Sequence, residues 1–149
     1  MPTYAINASE IEVDEGTVVT FSVATTEVAD ATTLYWTVAG TDVDASDFVG
    51  AATSGSVTIT GNAASFTTTV RNDTTLEGYE YYVIQLRTDS ITGTIVAVSE
   101  NITILDTSTG GIVDDPENGK VRSVTADNSK PAYYVNGVWY KVSGTAIPL

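Results

Sequence analysis

An acidic stretch runs directly into an apolar one near the middle of the chain: Asn72-Asp73-Thr74-Thr75-Leu76-Glu77-Gly78-Tyr79-Glu80-Tyr81-Tyr82, followed by Val83-Ile84-Gln85-Leu86. The acidic part holds three carboxylates and one carboxamide, and the apolar part has the composition of a buried strand. Closely spaced carboxylates repel one another, and either solvation or a bound cation relieves the repulsion. Ca²⁺ takes six to eight oxygen ligands, which acidic loops beside a rigid β-scaffold can supply. The stretch alone is compatible with a solvated loop and with a cation site.

The composition of the 149-residue chain favours an all-β fold. Apolar residues make up 42% of the chain, enough for a core, and the abundant Thr, Val and Tyr favour strands. Because the chain has no cysteine and no histidine, disulfides, thiol and Ser-His nucleophiles and the common zinc ligands are excluded. A bound metal would therefore be held by oxygen atoms.

The net charge of −13 is concentrated in the first part of the chain. Residues 1–106 hold fifteen acids and two arginines, a net charge of −13, whereas residues 107–149 hold four acids and four basic residues, a net charge of zero. An acidic domain repels the phosphate backbone, so nucleic acid is not expected as a partner. The change near residue 107 predicts a boundary between two regions with different roles.

Short strands separated by turns predict an antiparallel β-sandwich of about seven strands in residues 1–106. The strands are expected at residues 11–13, 18–23, 34–38, 55–60, 64–70, 82–86, 94–98 and 101–106. The fourth and fifth of these are predicted to pair as a hairpin across Gly61-Asn62. Aliphatic residues at alternate strand positions, together with Tyr35 and Trp36, are predicted to form the core.

The C-terminal part is predicted to be a linker followed by a small hairpin appendage. Residues 107–119 contain Gly110-Gly111 and Asp114-Asp115-Pro116, which are typical of a linker. Within residues 120–149, the segments 132–135 and 138–142 flank Asn136-Gly137, which accepts the positive φ angles of a type I′ turn. Thirty residues bury little core of their own, so this tail is expected to pack on the sandwich, on a copy of itself or on another protein.

The tail also contains candidate interface residues. Alternation along its two strands cannot put every aromatic ring on one face, so some rings are exposed unless a partner covers them. Aromatic rings beside lysines suit a docking surface or a sugar-binding patch, whereas a self-contained hairpin stacked on the sandwich is the alternative. The candidates are Lys130, Tyr133, Tyr134, Trp139, Tyr140 and Lys141.

Six sequence elements occur in an order that resembles a known family. They are Val13-Asp14-Glu15-Gly16, the segment 35–41 ending in Gly40-Thr41, Ser46-Asp47-Phe48, the segment 55–59, Asn72-Asp73 with Glu77-Gly78-Tyr79-Glu80, and Ile104-Leu105-Asp106-Thr107. Together they resemble the Calx-beta family, calcium-binding sandwiches of sodium–calcium exchangers, integrin β4 and bacterial adhesins. The resemblance covers residues 9–107 and implies a Calx-beta or immunoglobulin-like sandwich.

Carried over residue by residue, the resemblance implies a Ca²⁺ site at one end of the sandwich. The implied ligands are Glu15, Asp47, Asp73, Glu77, Glu80 and Asp106. Asn72 stands where the family often has the first aspartate of a pair, and Thr107 and Ser108 replace further carboxylates. The reduced charge implies one weakly held Ca²⁺ ion or none.

Three segments resemble structural proteins of tailed phages, cyanophages especially: residues 33–36, 85–88 and 93–97. The N-terminus shows no signal peptide and no apolar span, which suits a virion protein assembled in the host cytoplasm. The prediction is a capsid decoration or tail-associated subunit whose tail docks on other virion proteins or on copies of itself.

Two other function classes are open, and one is disfavoured. The chain could be a calcium-dependent adhesion module at a bacterial cell surface, or a carbohydrate-binding module whose partner is a host surface glycan. The carboxylate pairs Glu77 with Glu80 and Asp42 with Asp47 have residue types that glycosidases use, but the pattern contains no aromatic-lined cleft. No enzyme activity is therefore expected. No membrane insertion is expected either, because the sequence has no apolar span.

Overall fold

The computed structural model describes residues 1–75 and 77–108, and beyond them the backbone of five strands. The strands are β1 (Thr3–Ala8), β2 (Glu12–Asp14), β3 (Val18–Thr26), β4 (Thr33–Thr41), β5 (Ser54–Thr58), β6 (Ala63–Thr69), β7 (Glu80–Arg87), β8 (Ile95–Val98), β9 (Ile102–Leu105), β10 (Val113–Asp115), β11 (Lys120–Arg122), β12 (Ala132–Val135), β13 (Val138–Lys141) and β14 (Ala146–Ile147). Two 3-10 turns, Ala45–Asp47 and Val49–Ala51, lie between β4 and β5. The chain divides into two compact units, one formed by Met1–Arg71 and Tyr79–Leu105, the other by Asn72–Gly78 and Asp106–Leu149.

The first unit is a β-sandwich, which confirms the predicted all-β fold. One sheet has the strand order β1-β3-β6, and the other has the order β2-β9-β7-β4-β5 with β8 also paired to β7. The β2–β9 pair is parallel, with Val13 opposite Ile104, a feature that the predicted antiparallel pattern does not include. Among the described residues, no helix has the length and apolar character needed to cross a membrane.

Alternation of apolar and polar residues explains the core. On β3, Val19, Phe21 and Val23 are buried, whereas the residues between them are exposed. The facing sheet contributes the buried residues at alternate positions of β7. Each fully buried apolar side chain stabilises the fold by about 1.5–3 kcal/mol. Trp36 is buried as predicted and stacks on Phe66 with a centroid distance of 4.7 Å, but its neighbour Tyr35 is only partly buried.

The predicted hairpin at residues 55–70 is wrong, although its turn is confirmed. Thr60 and Ala63 exchange two backbone hydrogen bonds of 2.9 and 3.1 Å. Between them, Gly61 (φ 58°) and Asn62 (φ 63°) both take left-handed backbone angles, as a type I′ turn requires. Beyond the turn the two strands separate, because β5 pairs with β4 in one sheet and β6 pairs with β3 in the other.

The sandwich begins earlier than the predicted first strand at residues 11–13. Strand β1 pairs with β3 along its whole length, from Thr3 opposite Thr26 to Ala8 opposite Phe21. Its inward positions are Tyr4, Ile6 and Ala8, of which Ile6 is buried. The alternation was available in the sequence, but the small side chains between the apolar positions make it weak.

The second unit contains a five-stranded sheet in the order β10-β11-β12-β13-β14. The predicted C-terminal hairpin is present, with Tyr133 opposite Tyr140 and Tyr134 opposite Trp139. Strand β10 lies within the residues predicted to be a linker. The predicted turn Asn136-Gly137 and the candidate Lys130 lie outside the described residues. The interface role of the six tail residues stays a prediction.

Candidate metal site

Three of the predicted ligands lie at one end of the first unit. Beside Glu15, the Gly16 N–H donates to the Val70 carbonyl at 3.2 Å, and the Arg71 N–H donates to the Asp47 carbonyl at 2.7 Å. Glu80, the first residue of β7, lies opposite Ile104 of β9. On the other side of β9, the same Ile104 lies opposite Val13 of β2, two residues before Glu15. The turn after β2, the 3-10 turn at Asp47 and the start of β7 are thus held together by backbone pairing.

Asp47 and Glu80 form a buried carboxylate pair. Their side chains are only 7% and 5% exposed, and one carboxylate oxygen of each lies within 4.8 Å of the other. Glu80 faces inward because it shares the strand alternation with Tyr82. Two carboxylates repel each other when both are ionised, and they do so more strongly in a buried site than in water. A cation that shares both carboxylates turns this repulsion into attraction.

A reciprocal capping arrangement fixes the orientation of Asp47. The Asp44 N–H donates to Asp47 Oδ2 at 2.5 Å, while Asp44 Oδ1 accepts from the hydroxyl and the N–H of Ser46 at 2.5 and 2.6 Å. The Ser46 hydroxyl, and then its N–H, hold the pKa of the exposed Asp44 carboxyl below its ordinary value. Asp44 was not among the predicted site residues, although the Asp44-x-x-Asp47 spacing is that of a capping box.

In the second unit, Asp106 holds the loop formed by Asn72–Gly78. Its Oδ2 accepts the N–H groups of Glu77 and Gly78, both at 2.9 Å, and its Oδ1 accepts the Ser108 N–H at 2.9 Å. Three backbone donors on one carboxylate give Asp106 a structural role in the loop. Its predicted role as a metal ligand stays a prediction.

The same loop presents a second carboxylate pair. Asp73 and Glu77 each offer a carboxylate oxygen, and the two atoms lie within 4.8 Å of one another. The Thr75 N–H donates to Asp73 Oδ1 at 2.7 Å, and the Ser108 hydroxyl donates to the Asp73 carbonyl at 3.0 Å. Ser108 was not predicted to support the loop, and the Asp106-x-Ser108 spacing, typical of an Asx turn, was its only local signal.

Comparison with known proteins gives a likeness of fold. No family model matches the chain, and no curated protein matches it. Similar solved structures include the apo form of the Calx CBD1 domain, 13% identical over 70% of this chain and 97% of that chain, with a TM-score of 0.49. CBD12 from CALX1.2 is 17% identical over 80% of this chain and 56% of that chain, with a TM-score of 0.45. A structure of the bacterial superantigen toxic shock syndrome toxin-1 is 12% identical over 68% of this chain and 97% of that chain, with a TM-score of 0.34. None of these names is that of an enzyme, and likenesses at such scores and identities assign neither family nor function.

Proposed function

We propose that the sandwich is a Ca²⁺-binding module. The observation that supports this most strongly is the Asp47–Glu80 pair, two buried carboxylates within 4.8 Å of each other. Both side chains offer oxygen only, the ligand type that Ca²⁺ prefers. A buried pair of like charges gains more from a divalent cation than a solvated pair does, because the interaction is screened less.

The sequence resemblance also implies Glu15, Asp73 and Glu77 as ligands. Asp73 and Glu77 lie in the loop Asn72–Gly78, where one carboxylate oxygen of each lies within 4.8 Å of the other. Their part in the Ca²⁺ site stays a prediction.

One ion is proposed, with affinity in the lower part of the Ca²⁺ range. Asp106 already accepts three backbone N–H groups, so it has little capacity left for a metal. The expected dissociation constant is about 10⁻⁵ to 10⁻³ M, as in weaker sensor and extracellular sites. Mg²⁺ binds less well, because it demands near-ideal octahedral geometry that a flexible carboxylate set does not provide.

Calorimetric titration of chelator-treated protein with Ca²⁺ in 0.15 M NaCl tests the proposal. The wild type is expected to bind one ion, and Asp47→Asn combined with Glu80→Gln is expected to weaken binding at least about tenfold, or 1.4 kcal/mol. Asn at position 47 retains an acceptor for the Asp44 N–H, so the turn is preserved. Asp73→Ala tests the contribution of the loop in the same way.

Glu10→Gln is the control, since it removes one exposed carboxylate that is not among the proposed ligands. It should leave the Ca²⁺ isotherm unchanged. Equal weakening by Glu10→Gln and by the Asp47/Glu80 double variant would mean that Ca²⁺ responds to the overall charge. Absence of binding heat at several temperatures in the wild type would leave the solvated-loop interpretation.

A Ca²⁺ site fits the calcium-dependent adhesion module better than the virion subunit. The adhesion class requires the ion, whereas a decoration or tail-associated subunit does not. The virion setting, the glycan partner and the docking of the tail on other proteins or on copies of itself stay predictions, which rest on the phage-like segments and on the charge change near residue 107.

A further inference from the structure

A groove of about 520 Å³ lies between two edge strands of the sandwich, at residues 4–7 of β1 and residues 97–100 at the end of β8. Strand β1 pairs with β3 on one side, and β8 pairs with β7 on one side. Among the described residues, no strand is bonded to the other side of either. The groove is therefore flanked by two open strand edges.

The backbone of β1 presents hydrogen-bonding groups to this groove. The N–H of Ser9 donates to the Thr20 carbonyl at 2.8 Å, so the odd-numbered positions of this segment face β3. The N–H of Ala8 donates instead to Glu100 Oε2 at 3.2 Å, on the groove side. Alternation along an antiparallel strand then turns the N–H and C=O groups of Tyr4 and Ile6 towards the groove.

Strand β8 is short and its pairing with β7 is irregular between Leu86 and Arg87, but it lacks the charged and proline residues that commonly protect an edge. Natural edge strands are commonly blocked by lysine, proline or an inward-pointing charge. Residues 91–99 contain no charged residue and no proline. Ile95 and Val98 are 43% and 50% exposed, so apolar surface accompanies the open edge.

We propose that this groove binds an extended cationic peptide segment by strand addition. The segment bonds through its backbone to Tyr4 and Ile6, as in other complexes formed by strand addition. Its apolar side chains alternate towards Ile6 and Ala97, and its Lys or Arg side chains lie towards Glu100. Charge selects this occupant, because residues 1–106 have a net charge of −13, which attracts a basic segment and repels a second copy.

The probe is a blocked octapeptide of alternating lysine and valine, added to full-length protein in 0.15 M NaCl with a chelator. Amide resonances of Tyr4 and Ile6 are expected to shift and their hydrogen exchange to slow. A peptide of the same charge with proline replacing two central valines should bind at least about tenfold more weakly, because it cannot complete the ladder.

Val98→Lys and Val18→Lys separate the groove from general charge attraction. Both replace a valine that is about half exposed, at 50% and 53%, and both change the net charge equally, but Val18 lies at the start of β3. Val98→Lys should weaken the alternating peptide at least about tenfold and Val18→Lys should not. Equal effects of the two variants, or equal binding of the proline peptide, would overturn the proposal. The oligomeric state is measured by sedimentation. Self-association of the wild type that Val98→Lys abolishes and Val18→Lys does not would also overturn the proposal, because the occupant would then be a second copy of the chain.

Discussion

Individual carboxylates of similar sequence context have different roles in this protein. Asp47 and Glu80 are buried as a pair, whereas Asp44 is exposed and caps a 3-10 turn. Asp106 bonds to three backbone N–H groups. A carboxylate that already accepts three hydrogen bonds has less capacity left for a metal. The structural roles of Asp44 and Asp106 follow from the donors around each side chain.

Tyr82 is a residue whose burial has a consequence for stability at high pH. Burial raises the pKa of its hydroxyl, and a weak 3.4 Å hydrogen bond with Thr68 opposes the rise. Because the folded-state pKa is the higher one, stability is complete below the unfolded value of about 10 and falls as the pH rises through the folded value. Tyr82→Phe should cost about 1 kcal/mol at neutral pH through the lost hydrogen bond, and the cost should shrink above about pH 10.

Urea unfolding of both proteins between pH 7 and pH 11, with a chelator present, measures this difference. Tyr81→Phe is the control, since Tyr81 is 41% exposed on the same strand. It controls for the loss of a hydroxyl group from this strand. A Tyr82→Phe difference that stays constant over this pH range would refute the link between burial and alkaline unfolding.

At the scale of elements, strand β5 shows how one small residue positions a core aromatic. Gly55 lies opposite Trp36 on β4. A Cβ atom added at Gly55 would lie 2.6 Å from Trp36 Cζ2 and 2.7 Å from Cε2. The indole therefore lies against the glycine backbone, and it also stacks on Phe66 of the facing sheet. This stack joins the two sheets.

Gly55→Ala is expected to destabilise the protein by about 1–3 kcal/mol, because the added methyl group forces Trp36 out of its packed position. Chemical unfolding, together with near-ultraviolet circular dichroism for the Trp36 environment, measures the effect. Ser56→Ala, at the next and exposed position of β5, should change stability by less than about 0.5 kcal/mol. Stability unchanged in Gly55→Ala would mean that the indole has room to move.

At the scale of the whole molecule, the described core belongs to one unit. The fifteen hydrophobic residues that are buried among the described side chains all lie in Met1–Arg71 and Tyr79–Leu105. The other unit contributes the loop Asn72–Gly78 and the five-stranded sheet. Burial of apolar area is the main favourable term in folding, so the sandwich should not depend on the residues after Ser108.

A chain ending at Ser108 is therefore expected to fold, with the thermal midpoint within about 5 °C of the full chain, or about 1 kcal/mol. The shortened chain retains the Asp106 and Ser108 contacts that hold the loop. Trp36 is the sole tryptophan of the shortened chain. Tryptophan fluorescence at short wavelength that moves to longer wavelength in one cooperative thermal transition therefore reports a native core. Emission typical of exposed indole in the shortened chain would show that the tail contributes to the fold.

The sequence by itself determined the all-β class, the alternation that buries residues such as Val19 and Phe21, the turn at Gly61-Asn62 and the pairing of the C-terminal hairpin. These features depend on neighbouring residues, since strand alternation and turn angles are local properties. Only the tertiary structure decided that β5 and β6 belong to different sheets, that β2 pairs in parallel with β9, and that Asp47 and Glu80 are buried together while Asp106 holds a loop. Those outcomes depend on contacts between residues far apart in the chain, and no local pattern specifies which donors surround a given carboxylate.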